Sequence, residues 1–343
     1  MRSTDFDYSL PAERIAQEPL AERDASRLLH VLSGGGLEDR EFRELPALLR
    51  RGDLLVVNDT RVRRARLHGV DDGGRDVELL VLTRQTGGEY QCLARPARWT
   101  APGAVIRVGT ALRATVVGVS ATHRAGRTVT FDADDPDAAI ELAGVAPLPP
   151  YIHTDLRDPE RYQTTYATGN PESAAAPTAG LHFTAQVIER LRGAGIGWAS
   201  LRLDVGLATF APIRAENVED HPMHQERYAL PAATAMAIEQ TRGEGGRVVA
   251  VGTTVVRVLE TCAQQPGALR AQSGTTSLFI RPGHHFRAVD GLLTNFHQPR
   301  SSLLVLLAAF IGDQQWRSAY AHALGGGYRF LSLGDCMLCW AAQ

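Results

Sequence analysis

Apolar and polar positions alternate along two different periods in this chain. In "WASLRLDVG", Leu201, Leu203 and Val205 alternate with Arg202 and Asp204, the period of a half-buried strand. Just before it, Thr184 can cap a helix that runs through Val187, Ile188 and Leu191 and ends at Gly193 and Gly195. "RVVAVGTTVVRVLET" reads as strand, tight turn and helix. "GLLTNFHQPRSSLLVLLAAFIG" reads as strand, polar turn and buried helix, capped by Ser301 or Ser302. Nearer the N-terminus, Asp53 to Val57 is a strand broken by "NDT".

Residues 66 to 147 differ in character. Five short β-type runs, "RDVELLVLT", "EYQCLARP", "AVIRVG", "LRATVVGVS" and "RTVTFD", are separated by glycine-rich turns with no convincing helix, which suggests a small antiparallel barrel. The proline-rich "APLPPYIHT" marks the return from it, and residues 148 to 343 mix helices and strands.

The length of 343 residues favours two domains at roughly 150 residues each. Leu303 to Ile311, the longest apolar run, falls well short of the ~20 residues needed to cross a bilayer. The N-terminus carries early acids and no apolar core, so no signal peptide is expected and a cytoplasmic location is. Net charge is −2, which does not advertise nucleic acid yet leaves room for a local basic patch. All 36 basic residues are arginine, so no side-chain amine is present to form a Schiff base or act as a base. "CMLC" has zinc-like spacing but no second pair to close a tetrahedral site, and reads as a tail with two incidental thiols.

Candidate chemistry gathers at three helix starts, which offer unpaired N–H groups and a positive dipole end. In "VGTTVVRVLE", Thr253 and Thr254 begin a helix on which Arg257 and Glu260 share a face: an anion or ribose site, or an ordinary cap with a surface ion pair. "TNFHQPRSS" sets Asn295 and His297 at a strand end ahead of Arg300 and Ser301. "SAAAPTAGLHFT" is a small-residue loop that lets backbone come close to a partner, with His182 as acid, base or filler. "EDHPMHQERY" holds His221, His224 and Glu226, but Pro222 breaks the helix a metal pair would need. No serine or cysteine stands in a nucleophile-elbow context beside His182.

Taken in order, "DFDYSLPAERIAQEPLAERDASRLL", "GDLLVVNDTRVRRARL", "PLPPYI", "RYQTTYA", "AAPTAGLHFT", "VEDHPMH", "VAVGTTVVRVLE", "TNFHQPRSSL" and "YRFLSLGDCML" resemble the S-adenosylmethionine:tRNA ribosyltransferase-isomerase family of queuosine biosynthesis, from about Asp5 to Leu338. The resemblance implies a mixed α+β fold: a larger discontinuous catalytic domain (1–65 and 148–343) of mixed β-sheet or barrel with flanking helices, and a small antiparallel β-barrel inserted at 66–147. It implies that the ribosyl group of S-adenosylmethionine, a co-substrate, moves to a 7-aminomethyl-7-deazaguanine at the tRNA wobble position and rearranges to an epoxycyclopentane, releasing adenine and methionine. No metal and no membrane are implied, and the chain is expected to act as a monomer.

The sulfonium acidifies the adjoining ribose C–H, so a base is needed; His182 comes first and His297 second, with Asp204 as a further catalytic candidate. The resemblance assigns the donor pocket to Thr178, Ala179, Gly180, Phe183, Thr209, Phe210, Gly252, Thr253, Thr254, Arg257, Asn295 and Phe296. Thr253 and Thr254 would take the methionine carboxylate, and Asn295 and Arg257 the ribose or a phosphate. Asn58, Asp59, Arg61, Arg64, His221, His224, Glu226 and Arg300 would meet the tRNA. The chain departs from the family pattern at Asp204 (usually histidine), Ala208 (glycine), Val255 (serine) and Val145-Ala146 (His-Met). Asp204 either pairs with Arg202 or marks an altered acceptor pocket. Two other readings therefore stay open: the same sulfonium chemistry on a small-molecule acceptor, and a non-catalytic binder of S-adenosylmethionine or RNA.

Overall fold

Leu54, Leu55, Val56 and Val57 are all buried, because their strand has a packed layer on each face. Leu54 and Val56 enter one core, while Leu55 and Val57 enter the other. The same split holds for Val248 and Ala250 against Val249 and Val251, and for Leu292 against Leu293. A strand buried on both sides reads as a continuous apolar run, which explains why these segments show no polar alternation.

The computed structural model describes residues 1–342 other than 121–123, 170, 207, 208, 210 and 266. It comprises two compact units, Met1–Arg61 with Pro149–Gln343, and Val62–Leu148. In the first, a nine-stranded mixed sheet runs in the order Gln272–Thr276, Glu226–Leu230, Gly197–Leu203, Leu54–Asn58, Val248–Val251, Gly291–Asn295, Cys336–Trp340, Arg27–Val31 and Leu37–Glu41. The four strands from Gly197–Leu203 to Gly291–Asn295 are mutually parallel. Their carboxyl ends therefore lie along one edge, the position at which open parallel sheets bind ligands.

The helices that flank these strands in the chain begin as their sequences require. Thr184 Oγ1 accepts from Val187 N at 3.2 Å to cap Ala185–Gly193, and Ser301 Oγ accepts from Leu304 N at 3.2 Å to cap Ser302–Ile311. Gly252, with φ +92°, turns the chain sharply between Val248–Val251 and the helix Thr253–Cys262.

The second unit is a closed antiparallel barrel of six strands, in the order Gly126–Asp132, Tyr90–Arg95, Asp76–Arg84, Arg66–Asp71, Val105–Val108 and Leu112–Val119. This corrects the count of five. The unrecognised strand, Arg66–Asp71, contains His68 and Gly69, which interrupt its apolar pattern; a Cβ at Gly69 would lie 2.6 Å from the Arg107 carbonyl of the next strand. The region also holds a helix, Pro136–Ala143, capped by the Asp135 carboxylate on Ala138 N. The "CMLC" segment is no tail. It is the strand Cys336–Trp340 within the sheet, whose buried thiols donate to the Arg27 and Leu292 carbonyls. Burial pushes both thiols up, away from the thiolate form that a metal requires.

Candidate active site

An open cleft of about 630 Å³, counting its mouth, lies at the carboxyl edge of the parallel strands. Three sequence-distant segments build it: Ala176–Ala179 of the small-residue loop, Gly252–Thr254 after one strand, and Thr294–Gln298 after another. Val205 and Thr209 follow a third strand. Tyr151, Ser301 and Ser332 complete the wall, with the Tyr151 hydroxyl 2.7 Å from Ser332 Oγ. Tyr151 and Ser332 were not singled out from sequence, although both stand inside quoted strings, "PLPPYI" and "YRFLSLGDCML".

Of the assigned donor residues, Thr178, Ala179, Thr209, Gly252, Thr253, Thr254, Asn295 and Phe296 line this cleft. Phe210 lies outside the described residues, as does Ala208. Gly180, Phe183 and Arg257 do not line it. A Cβ at Gly180 would meet the Tyr166 hydroxyl at 2.0 Å, so the close approach this glycine permits is to the protein's own tyrosine. Phe183 is fully buried, edge-on to Phe42 and Trp198 at centroid distances of 4.9 and 5.3 Å. Arg257 pairs with Glu226 beneath the sheet and donates through Nε to the Leu278 carbonyl at 3.1 Å. The surface pair with Glu260 does not form. Glu260 is buried and accepts from Arg287 N and Ala288 N, with His284 at 3.2 Å.

The two histidines occupy different places. His297 lines the cleft, 7% exposed, with Nε2 2.9 Å from Thr294 Oγ1 and no hydrogen-bond partner for Nδ1 among the described residues. His182 is 4% exposed and stands one layer behind the cleft. Asn295 Nδ2 donates to His182 Nε2 at 3.2 Å, while Asn295 Oδ1 accepts from the Thr178 hydroxyl at 2.9 Å. Because an amide nitrogen can only donate, Nε2 must be the bare nitrogen, and Nδ1–H donates to Ser26 Oγ at 2.8 Å. Ser26 passes the chain on to the Arg23 carbonyl at 3.3 Å. Burial, then the positive charges of Arg23 and Arg329, depress His182 to about 3, and burial alone takes His297 to about 3, so both imidazoles are neutral at pH 7. His182 does not line the cleft itself: Asn295, bonded to Thr178, stands between them. It opens instead on a smaller cavity of about 330 Å³ that also reaches Arg23 and Arg161.

The remaining sequence candidates are held elsewhere. Asp204 does not line the cleft, and its carboxylate lies 3.3 Å from Arg227 and 3.4 Å from Thr60 Oγ1; burial raises its pKa. Its expected partner Arg202 instead faces Asp59 at 3.8 Å. Asn58 is wholly buried and brackets Leu203, donating to its carbonyl at 2.9 Å and accepting its N–H at 3.1 Å, so it cannot meet an RNA. Asp59 accepts from Ser200 and Thr168. Arg61 pairs with Glu160, Arg64 with Glu141 and Arg300 with Asp7. Glu226, expected at the tRNA, is the buried partner of Arg257 and accepts from Gly206 N at 2.8 Å. His221 packs against Phe279 with rings 5.8 Å apart, and His224 is exposed. Among the described residues no three His, Cys, Asp or Glu side chains group to hold a metal, and no helix is long and apolar enough to cross a membrane.

Comparison with known proteins places the whole chain in one family. The curated S-adenosylmethionine:tRNA ribosyltransferase-isomerase of Moorella thermoacetica is 50% identical to this chain, over 98% of it and 99% of the relative. That of Gloeobacter violaceus is 48% identical, over 97% and 94%. The crystal structure of S-adenosylmethionine tRNA ribosyltransferase from Thermotoga maritima is 37% identical with a TM-score of 0.56, covering 98% of this chain and 99% of that one. The family model described as queuosine biosynthesis protein matches residues 3–339, and the chain belongs to that family.

Proposed function

We propose that this chain is an S-adenosylmethionine-dependent ribosyltransferase-isomerase that acts on tRNA. It moves the ribosyl group of S-adenosylmethionine onto a 7-aminomethyl-7-deazaguanine at the wobble position, isomerises it to the epoxycyclopentane, and releases adenine and methionine. The observation that carries this reading is the convergence of "PTA", "VGTT" and "TNFHQ" on one cleft at the carboxyl edge of the sheet. The relatives of about 50% identity carry that activity in their names.

Within that cleft, Thr253 and Thr254 at their helix start receive the methionine carboxylate, helped by the positive end of the dipole. Asn295 and Thr178 face the ribose. His297, the imidazole in the cleft, takes the C–H proton that the sulfonium acidifies, since its Nδ1 has no hydrogen-bond partner among the described residues and it is neutral. His182 acts by fixing the Asn295 amide. The larger unit supplies the catalytic groups, and one copy of the chain, working as a monomer in the cytoplasm, provides them all. A small-molecule acceptor was suggested by Asp204; with Asp204 held by Thr60 and Arg227 outside the cleft, nothing favours it.

The test is to incubate the protein with S-adenosylmethionine and tRNA bearing 7-aminomethyl-7-deazaguanine, following adenine, methionine and tRNA mass. Release of both small products with a gain in tRNA mass is expected. No release with that tRNA, or equal release with the free base, overturns the reading.

A further inference from the structure

The smaller cavity behind the cleft has a composition that protein packing alone does not require. Arg23, Ser26, Arg161 and His182 all reach it, and Ser332 lines both it and the cleft. Among the described residues, the hydrogen bonds of both guanidinium groups go to backbone carbonyls. Arg23 donates to the carbonyls of Glu160, Arg161 and Leu181, and Arg161 to those of Leu20 and Ala21. Arg161 Nε is buried and has no hydrogen-bond partner. Asp158 and Glu160 act on Arg23 only from a distance, and Glu160 is already paired with Arg61. Two half-buried cations thus face one space whose lining, among the described residues, holds no acidic side chain. Partial burial, and then repulsion from Arg161, holds Arg23 below its usual range, against the opposing pull of Asp158 and Glu160. Such a space is suited to an anion that brings the missing charge.

We propose that this cavity is an oxyanion subsite, in which Arg23 and Arg161 receive a phosphodiester of the tRNA while the reaction proceeds in the adjoining cleft. This rests on the reaction proposed above. Guanidinium groups recognise phosphodiesters through paired N–H donors. The Thr178–Asn295–His182–Ser26 chain ends on the Arg23 carbonyl, so occupancy of the subsite is coupled to the cleft wall through continuous hydrogen bonds.

Leu20, half-buried, lines the cavity, and its carbonyl accepts from Arg161. Leu20→Glu therefore brings a carboxylate to the two arginines, and Leu20→Gln is its neutral control. The first measurement is the thermal shift given by inorganic phosphate against chloride at equal ionic strength. Stabilisation of wild type and Leu20→Gln, and its loss in Leu20→Glu, is expected. No phosphate effect in wild type, or an equal effect in folded Leu20→Glu, overturns the subsite. The second is binding of tRNA and of S-adenosylmethionine. If the anion is a phosphodiester, Leu20→Glu weakens tRNA about tenfold and lowers the salt slope by about 1, leaving S-adenosylmethionine unaffected. Weakening of S-adenosylmethionine alone overturns the phosphodiester assignment. Unchanged binding of both overturns the proposal. A protein that keeps the phosphate effect but releases no adenine counts against the reaction and not against the subsite.

Discussion

Asn295 Nδ2 donates one proton to His182 Nε2 at 3.2 Å and the other to the Asp335 carbonyl at 3.3 Å, so this amide is fully committed and its orientation is fixed. Its oxygen, held by the Thr178 hydroxyl, is left as the group the cleft presents. A histidine in this position fixes the amide that the cleft presents, which is the role proposed for His182.

The consequence for kinetics follows directly. His182→Ala leaves one Asn295 N–H unpaired and the amide free to turn. Turnover, read as adenine release, falls roughly 10–100-fold, the equivalent of one or two hydrogen bonds. The acidic limb of the pH–rate profile keeps its midpoint, because the base is another group. A lost limb in His182→Ala would return His182 to the chemistry.

Two buried neutral histidines also make stability depend on pH. His182 and His297 titrate near about 3 in the folded chain against about 6.5 unfolded. Between those values the unfolded chain binds more protons. Their contribution is therefore fully present above about pH 6.5 and is lost as pH falls toward 3, by about 1.4 kcal/mol per pH unit for each histidine. Urea unfolding at several pH values should show His297→Gln with a slope about one proton smaller than wild type; parallel slopes would refute this.

Gly180 is explained by Tyr166. A methyl group there would collide with the Tyr166 hydroxyl, which is buried without a hydrogen-bond partner. Gly180→Ala should cost about 1–3 kcal/mol in unfolding free energy. The Gly180→Ala/Tyr166→Phe double variant should recover most of that. Additive effects of the two changes would show that the collision is not the cause.

The Arg257–Glu226 pair is buried, and Glu226 also holds Gly206 N, ahead of Thr209 in the cleft wall. Glu226→Gln leaves Arg257 without its counter-charge and should destabilise the fold by about 3–5 kcal/mol. Glu226→Leu with Arg257→Met together should cost less than Glu226→Gln alone, measured by chemical denaturation. A double variant at least as unstable as Glu226→Gln would refute the argument.

The strand–turn–helix units were legible in the chain because their signals are local: apolar runs of strand length, Thr184 and Ser301 as caps, Gly252 as a turn. The motif strings likewise located the three loops that meet at the cleft. Local pattern failed where a neighbour in space decides the outcome. Gly69 looks like a break and is a strand position crowded by Arg107, and the short helix Pro136–Ala143 lay hidden among β-type runs.

Residue types alone determined the apolar strands, the caps and a chemistry confined to histidine, hydroxyl, amide and arginine groups. Only the tertiary structure decided which of these face the cleft. Periodicity states that Arg257 and Glu260 share a helix face, but the layer packed on that face turns it into a core, and each group then takes a buried partner from a different segment. The places of His182 and His297 separate for the same reason. Both are candidate bases in the chain; the fold buries one behind Asn295 and sets the other in the cleft wall.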